Sequence, residues 1–94
     1  MKISLSHTTS QFEKDFIGLQ SKLKAKAIRK IRLFESDCFN STLNTHKLNS
    51  VINNFWSFSV DRNYRVIFRF LPNREAIYYR IGLHKIYQEL EKMF

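Results

Sequence analysis

The stretch 79-YRIGLHKIY-87 carries the residues best suited to chemistry. A strand-like run, Tyr79 to Ile81, stops at Gly82, one of two glycines in the chain; His84 follows, and then Tyr87. Imidazole titrates where acid–base catalysis is useful. His84 has no metal-ligand spacing to His7 or His46, and Asp61 is the only carboxylate in the interior of the strand-rich region, Glu75 standing at the start of its last strand. There is no glycine-rich phosphate loop and no Ser-His-Asp set. These residue types together suit metal-free RNA cleavage. RNA supplies its own nucleophile, the 2′-OH. The protein then needs a base, a cation for the pentavalent phosphate and an acid for the leaving 5′ oxygen. Arg65 and Arg69 offer planar donors to phosphate, and aromatic rings can stack a splayed base. Each residue also has a plainer reading: His84 as a surface residue, alternating arginines as a solvated strand face, His46 as a loop residue, Tyr87 as core.

The composition sets the frame for that chemistry. The chain has 94 residues, with 16 Lys and Arg against 8 Asp and Glu, a formal charge of +8. A domain of this size buries roughly two thirds of its unfolded surface and folds without a staple. The excess of positive charge makes a polyanion the default partner, the plainer alternative being a solvated basic surface. The single cysteine, Cys38, excludes a disulfide framework and reads as a partly buried thiol. The N-terminus MKISLSHTTS has no apolar core of a leader, and no run reaches membrane-spanning length. A cytoplasmic protein is expected.

The elements that must position these residues follow from periodicity. Residues 2–7 alternate as a short strand. Ser10 with Glu13 reads as a capping box opening a helix with Phe12, Phe16 and Leu19 on one side, and Gly18 marks a break. Leu23, Ala27, Ile31 and Phe34 form the apolar stripe of a second helix, whose other faces carry Lys22, Lys24, Lys26, Arg29, Lys30 and Arg32. Residues 36–54 are a polar connection anchored by Leu43 and Leu48, long enough to hide a turn or short strand.

A three-stranded meander follows. Its first strand (55–61) sets Trp56, Phe58 and Val60 against Ser57 and Ser59, with Trp56 and Phe58 assigned to the core. The second (64–70) sets Tyr64, Val66, Phe68 and Phe70 against Arg65, Ile67 and Arg69. The third (75–82) sets Ile77, Tyr79 and Ile81 against Tyr78 and Arg80. Matching the apolar faces fixes the register, because a one-residue slip inverts every side chain. A three-residue loop at 61–63 then places Phe58 opposite Val66 and Ser59 opposite Arg65. A two-residue turn at Asn73-Arg74 places Phe70 opposite Ile77, Phe68 opposite Tyr79 and Arg65 opposite Gly82. The polar face would carry Ser57, Ser59, Arg65, Arg69, Tyr78 and Arg80, with His84 at its edge.

At this point 46-HKL-48, 56-WSFSV-60, 64-YRVIFRF-70 and 81-IGLHKIY-87 taken together resemble the RelE/ParE superfamily of bacterial type II toxins, most of all its RelE/StbE and YafQ-like branch. The resemblance covers most of the chain as one domain, 1–94. It implies an α+β fold: a small twisted antiparallel sheet, made of the N-terminal strand and the meander, packed against the N-terminal helical pair and followed by a C-terminal tail. It implies metal-independent cleavage of mRNA at the ribosomal A site, leaving a 2′,3′-cyclic phosphate. It also implies a monomeric toxin without a cofactor, neutralised by a cognate antitoxin and in contact with mRNA on the 70S ribosome. By position, His84 matches a catalytic histidine in the role of general acid, Arg65 the phosphate-stabilising arginine, His46 a base or phosphate ligand, and Tyr87 a residue that orients the site. Lys47 is a secondary candidate beside His46, and Tyr64 matches an aromatic near the substrate; Lys47, Tyr64, Arg69, Arg80 and Lys85 make the expected RNA-binding set.

The sequence also departs from that pattern. Ser59 stands where some relatives carry His or Lys, Asn63 where some carry Asp, and Lys85 where many carry Asp; 48-LNS-50 lacks a glycine common after this Leu. The role of base therefore falls to His46. Two rivals remain from the sequence: a ParE-like poison of DNA gyrase, which shares the fold without the ribonuclease residues, and a non-catalytic RNA or ribosome binder.

Overall fold

The computed structural model describes residues 1–49 and 54–92. Residues 50–53 of the polar connection, including Ser50 of 48-LNS-50, lie outside them. Among the described residues no helix is long and apolar enough to cross a membrane.

Strand β1 (Leu5–Thr8) leads into helix α1 (Ser10–Ile17). The helix cap is Thr9 rather than Ser10: its hydroxyl accepts the Phe12 N–H at 3.0 Å and donates to the Tyr79 carbonyl at 2.9 Å. Glu13 therefore does not close the expected capping box, and its carboxylate takes the Thr8 hydroxyl at 2.8 Å. Gly18 ends α1 as expected, and α2 (Ser21–Ser36) follows. Ala27 and Phe34 of its stripe are fully buried, while Leu23 and Ile31 lie against the same cluster. The polar connection holds both hidden elements: a 3₁₀ turn (Ser41–Leu43) that buries Leu43, and strand β2 (His46–Lys47).

Strands β3 (Trp56–Ser59), β4 (Arg65–Leu71) and β5 (Glu75–Gly82) form the meander. With β1 and β2 they make one sheet in the order β1-β5-β4-β3-β2. The α+β layering is the one expected, but the sheet is mixed: β1 joins β5 in parallel. Both strands run toward a helix at the same end, β1 into α1 and β5 into the C-terminal helix α3 (Lys85–Lys92).

The first hairpin keeps the expected register, with Phe58 opposite Val66 and Ser59 opposite Arg65. Asp61 fixes its loop by accepting the N–H groups of Asn63 and Tyr64 at 2.8 and 2.7 Å. The second hairpin differs. Leu71 pairs with Glu75, so three residues, Pro72–Arg74, make the turn, with Asn73 and Arg74 both left-handed. This shifts the pairing by one: Phe70 faces Ala76 and Phe68 faces Tyr78. A bulge then restores the expected register, and Ile67 faces Arg80, Val66 faces Ile81 and Arg65 faces Gly82. An extra residue in one strand lets both ends obey their own constraints. Tyr78 is consequently in the core, 2 % exposed, rather than on the polar face, and Tyr79 takes the opposite side.

The helix-facing side of the sheet buries Phe58, Val66, Phe68, Tyr78 and Ile81 against Phe12, Ala27 and Phe34. Phe34 is the hub, its ring centroid 4.5 Å from Phe58 and 4.6 Å from Phe68. Cys38 is wholly buried there, and burial pushes its thiol up, which keeps it inert. Trp56 is only half-buried, at the rim of this core, where its ring meets Phe70 and the exposed Phe39. The other side is not an open polar face. The expected tail is α3, which lays Ile86 and Leu90 over Phe55 and Ile67 to form a second, smaller core.

Candidate functional site

Four elements bring the candidate residues to the α3 side of the sheet. Gly82 ends β5 beneath α3, where a Cβ would meet Ile86 Cγ2 at 2.7 Å. The glycine is required by this close approach of helix to strand. The chain then turns through Leu83 and His84 into α3. The Ile86 and Tyr87 N–H groups donate to the Leu83 and His84 carbonyls, so His84 and Tyr87 sit one turn apart on one side of the helix. Their rings meet edge to face at 5.1 Å between centroids.

The Tyr87 hydroxyl crosses to the sheet and donates to Ser57 Oγ at 3.1 Å. Ser57 is fully buried, and its register partner on β2 is His46. Directly opposed residues in an antiparallel pair share a face, so His46 lies on the same side as Tyr87. His46 Nδ1 lies 2.8 Å from the Asn44 carbonyl. A carbonyl oxygen only accepts, so in the neutral ring Nδ1 carries the proton and Nε2 keeps its lone pair. The backbone thus favours one neutral tautomer of the exposed His46, with Nε2 as its accepting nitrogen.

Arg65 lies in the next row, between Ser59 and Gly82. Its Nη1 donates to the Asp61 and Tyr64 carbonyls at 2.7 and 3.1 Å. That anchors the guanidinium at the foot of the hairpin and leaves Nη2 and Nε without a partner among the described residues. Arg69, on the same face, sits over the Phe55 ring at 5.6 Å, with a buried Nε that has no hydrogen-bond partner among the described residues.

The other expected RNA contacts are placed differently. Lys47 opposes Trp56, on the helix-facing side, away from His46. Tyr64 packs at the edge of the main core. Arg80 is closed off: Asp15 takes its guanidinium at 2.7 and 3.2 Å and Glu89 at 3.0 Å, tying β5 to both α1 and α3. Lys85 is exposed at the first position of α3. Ser57 was legible only as one hydroxyl of a polar face; its role as the bridge between Tyr87 and β2 depends on α3 crossing above it.

The sequence matches no family model and no curated protein. Solved structures do match. The E. coli DinJ–YafQ toxin–antitoxin complex aligns over 92 % of this chain and 97 % of its own, with TM-score 0.71 and 17 % identity. The YoeB/ParE toxin from Agrobacterium tumefaciens aligns over 89 % and 99 %, with TM-score 0.72 and 16 % identity. The chain has the RelE/ParE toxin fold. The archaeal RelE–RelB complex from Pyrococcus horikoshii shares it at TM-score 0.69 and 13 % identity, over 88 % of this chain and 96 % of that one. Within the RelE/ParE fold, function must be argued from the site.

Proposed function

We propose that this chain is the toxin of a type II toxin–antitoxin pair and a metal-independent endoribonuclease that cuts mRNA in the ribosomal A site. The observation that carries the reading is the line His84–Tyr87–Ser57–His46 on one side of the sheet, with Arg65 in the adjoining row. In this reading His46 Nε2 takes the proton of the 2′-OH, whose oxygen attacks the adjacent phosphorus. The free guanidinium nitrogens of Arg65 receive the negative charge that grows on the non-bridging oxygens. His84 gives a proton to the 5′ oxygen as its bond to phosphorus breaks, leaving a 2′,3′-cyclic phosphate. Tyr87, tied to Ser57, holds the His84 ring in place. Arg69 and Lys85 are the remaining candidates for RNA phosphates; Arg80 is better read as a structural tie between α1, β5 and α3.

The neutralising antitoxin is the expected partner of a monomeric toxin in the cytoplasm. We seat it on the apolar groove of about 510 Å³ between β1, α1 and α2, where Ile17 is 71 % exposed. The DinJ–YafQ and RelE–RelB structures of this fold are complexes with such partners.

The test is cell-free translation of one defined mRNA with wild-type protein or His84→Ala, new 5′ ends being mapped by primer extension. Cuts within codons that need both translation and His84 are expected, with a rate lost by about 10²–10⁴-fold in the variant. Intact mRNA beside folded wild-type protein would discard the ribonuclease and leave gyrase poisoning or passive binding.

A further inference from the structure

Away from the His84–His46 line, two depressions meet at Tyr64. One, about 500 Å³, lies between the start of α2 and the β3–β4 hairpin and includes Lys22, Lys26 and Asp61. The other, about 450 Å³, runs to the start of α3 past Lys14, Gly82, Leu83 and Lys85. Gly18, Leu19 and Tyr64 line both, so they form one groove. It ends at the two neighbours of His84.

The charges along this groove are unequal in availability. Its carboxylates are all engaged. Asp15 holds Arg80 and the Ile81 N–H, and Glu89 holds Arg80. Asp61 accepts two backbone N–H groups of its own hairpin. Lys14, Lys22, Lys26 and Lys85 make no ion pair within 4 Å of any described residue, although Lys26 is near enough to Asp61 to favour its charged form. The half-buried Tyr64 sits where the two depressions join, and its hydroxyl has no hydrogen-bond partner among the described residues. Unpaired ammonium groups on both sides of an aromatic ring are the elements of a single-strand track: phosphates on the cations, a base against the ring.

We propose that this groove binds single-stranded RNA on one side of the bond cut at His84, with phosphates on Lys22, Lys26 and Lys85 and a base on Tyr64. It rests on the ribonuclease reading for its register but not for its chemistry. An acidic protein segment would also meet the lysines; the central aromatic ring and the exit beside His84 favour RNA.

The test is fluorescence anisotropy with labelled, uncleavable 2′-O-methyl oligonucleotides of about 4 and about 12 residues, on protein checked for folding by circular dichroism. The longer strand should bind wild type at least tenfold more tightly. Lys22→Glu with Lys26→Glu should erase that gain and reduce the log–log salt slope by about 1.4, at about 0.7 for each phosphate no longer neutralised. Tyr64→Leu, which keeps most of the packing volume, should weaken the long strand about tenfold and the salt slope little. Equal affinity for both lengths, or full affinity in the double lysine variant, overturns the groove even if translation-dependent cleavage needs His84. Length-dependent binding that disappears with the lysines upholds it even if no cleavage is seen, in which case only the ribonuclease reading falls.

Discussion

The two faces of the sheet are built from the same strands and do opposite things. The face toward α1 and α2 is a continuous aromatic and aliphatic layer, with Phe34, Phe58, Phe68 and Tyr78 almost wholly removed from water. Its one conspicuous polar contact, the Tyr78 hydroxyl on Glu35, is a hydrogen bond in which burial and the carboxylate push the phenol far above its ordinary range. The face under α3 is mixed. A small cluster of Phe55, Ile67, Ile86 and Leu90 holds the helix down, and around it stand Ser57, Arg65, Arg69, His46 and Tyr87. Alternation along β3 and β4 separates the two, since neighbouring residues point to opposite sides. On the ribonuclease reading proposed above, stability and chemistry can therefore be altered separately in this small domain, provided that a change stays on its own face.

The most damaging test of this separation attacks the face toward α1 and α2. Phe58→Ala removes a ring stacked on Phe34 and should cost about 3–5 kcal/mol, read as a large fall in the denaturation midpoint and loss of every function at once. His84→Ala should do the reverse, leaving that midpoint unmoved while removing cleavage. If both variants unfold, the two faces are not separable.

Gly82→Val probes the join. A side chain there collides with Ile86 and should cost about 1–3 kcal/mol by lifting α3. The Tyr87–Ser57 contact should go with it, read as increased Tyr87 mobility by NMR. A gentler change addresses the same join. Ser57→Ala deletes the acceptor of the Tyr87 hydroxyl and should cost about 0.5–1.5 kcal/mol, with a larger fall in kcat than in stability if Tyr87 positions His84.

The smallest expected effect lies in the first hairpin. Burial raises the Asp61 pKa, but the N–H groups of Tyr64 and Asn63, together with the charges of Lys26 and Arg65, outweigh it, and the carboxyl sits below its ordinary 3.8. A depressed carboxylate stabilises the fold fully above its unfolded value, and that contribution fades as pH falls through the lower folded value. Protection of the Asn63 and Tyr64 amides should therefore decline in acid. In Asp61→Asn, whose amide oxygen still accepts, it should vary less with pH.

Much of the framework was legible in the chain. The α2 stripe, the break at Gly18, the first hairpin's register and the pairing of Arg65 with Gly82 all follow from period and parity. Two departures come from local chemistry that sits one residue away from its expected place. Thr9 caps α1 instead of Ser10, and a three-residue turn replaces the two-residue one. The longer turn moves Tyr78 from the polar face to the core, and the bulge at the middle of β5 confines that change to half the strand.

Periodicity and side-chain chemistry are local, so the amino-acid order alone was enough for the class of fold, the apolar face of most strands and the residue types available for phosphate chemistry. Which of those residues meet is a matter of contacts between distant segments. α3 folds back over Gly82, Tyr87 reaches Ser57, β2 sets His46 in the same row, and Asp15 and Glu89 occupy Arg80. These contacts exist only in the folded chain, because packing is a property of assembled surfaces rather than of any stretch read alone.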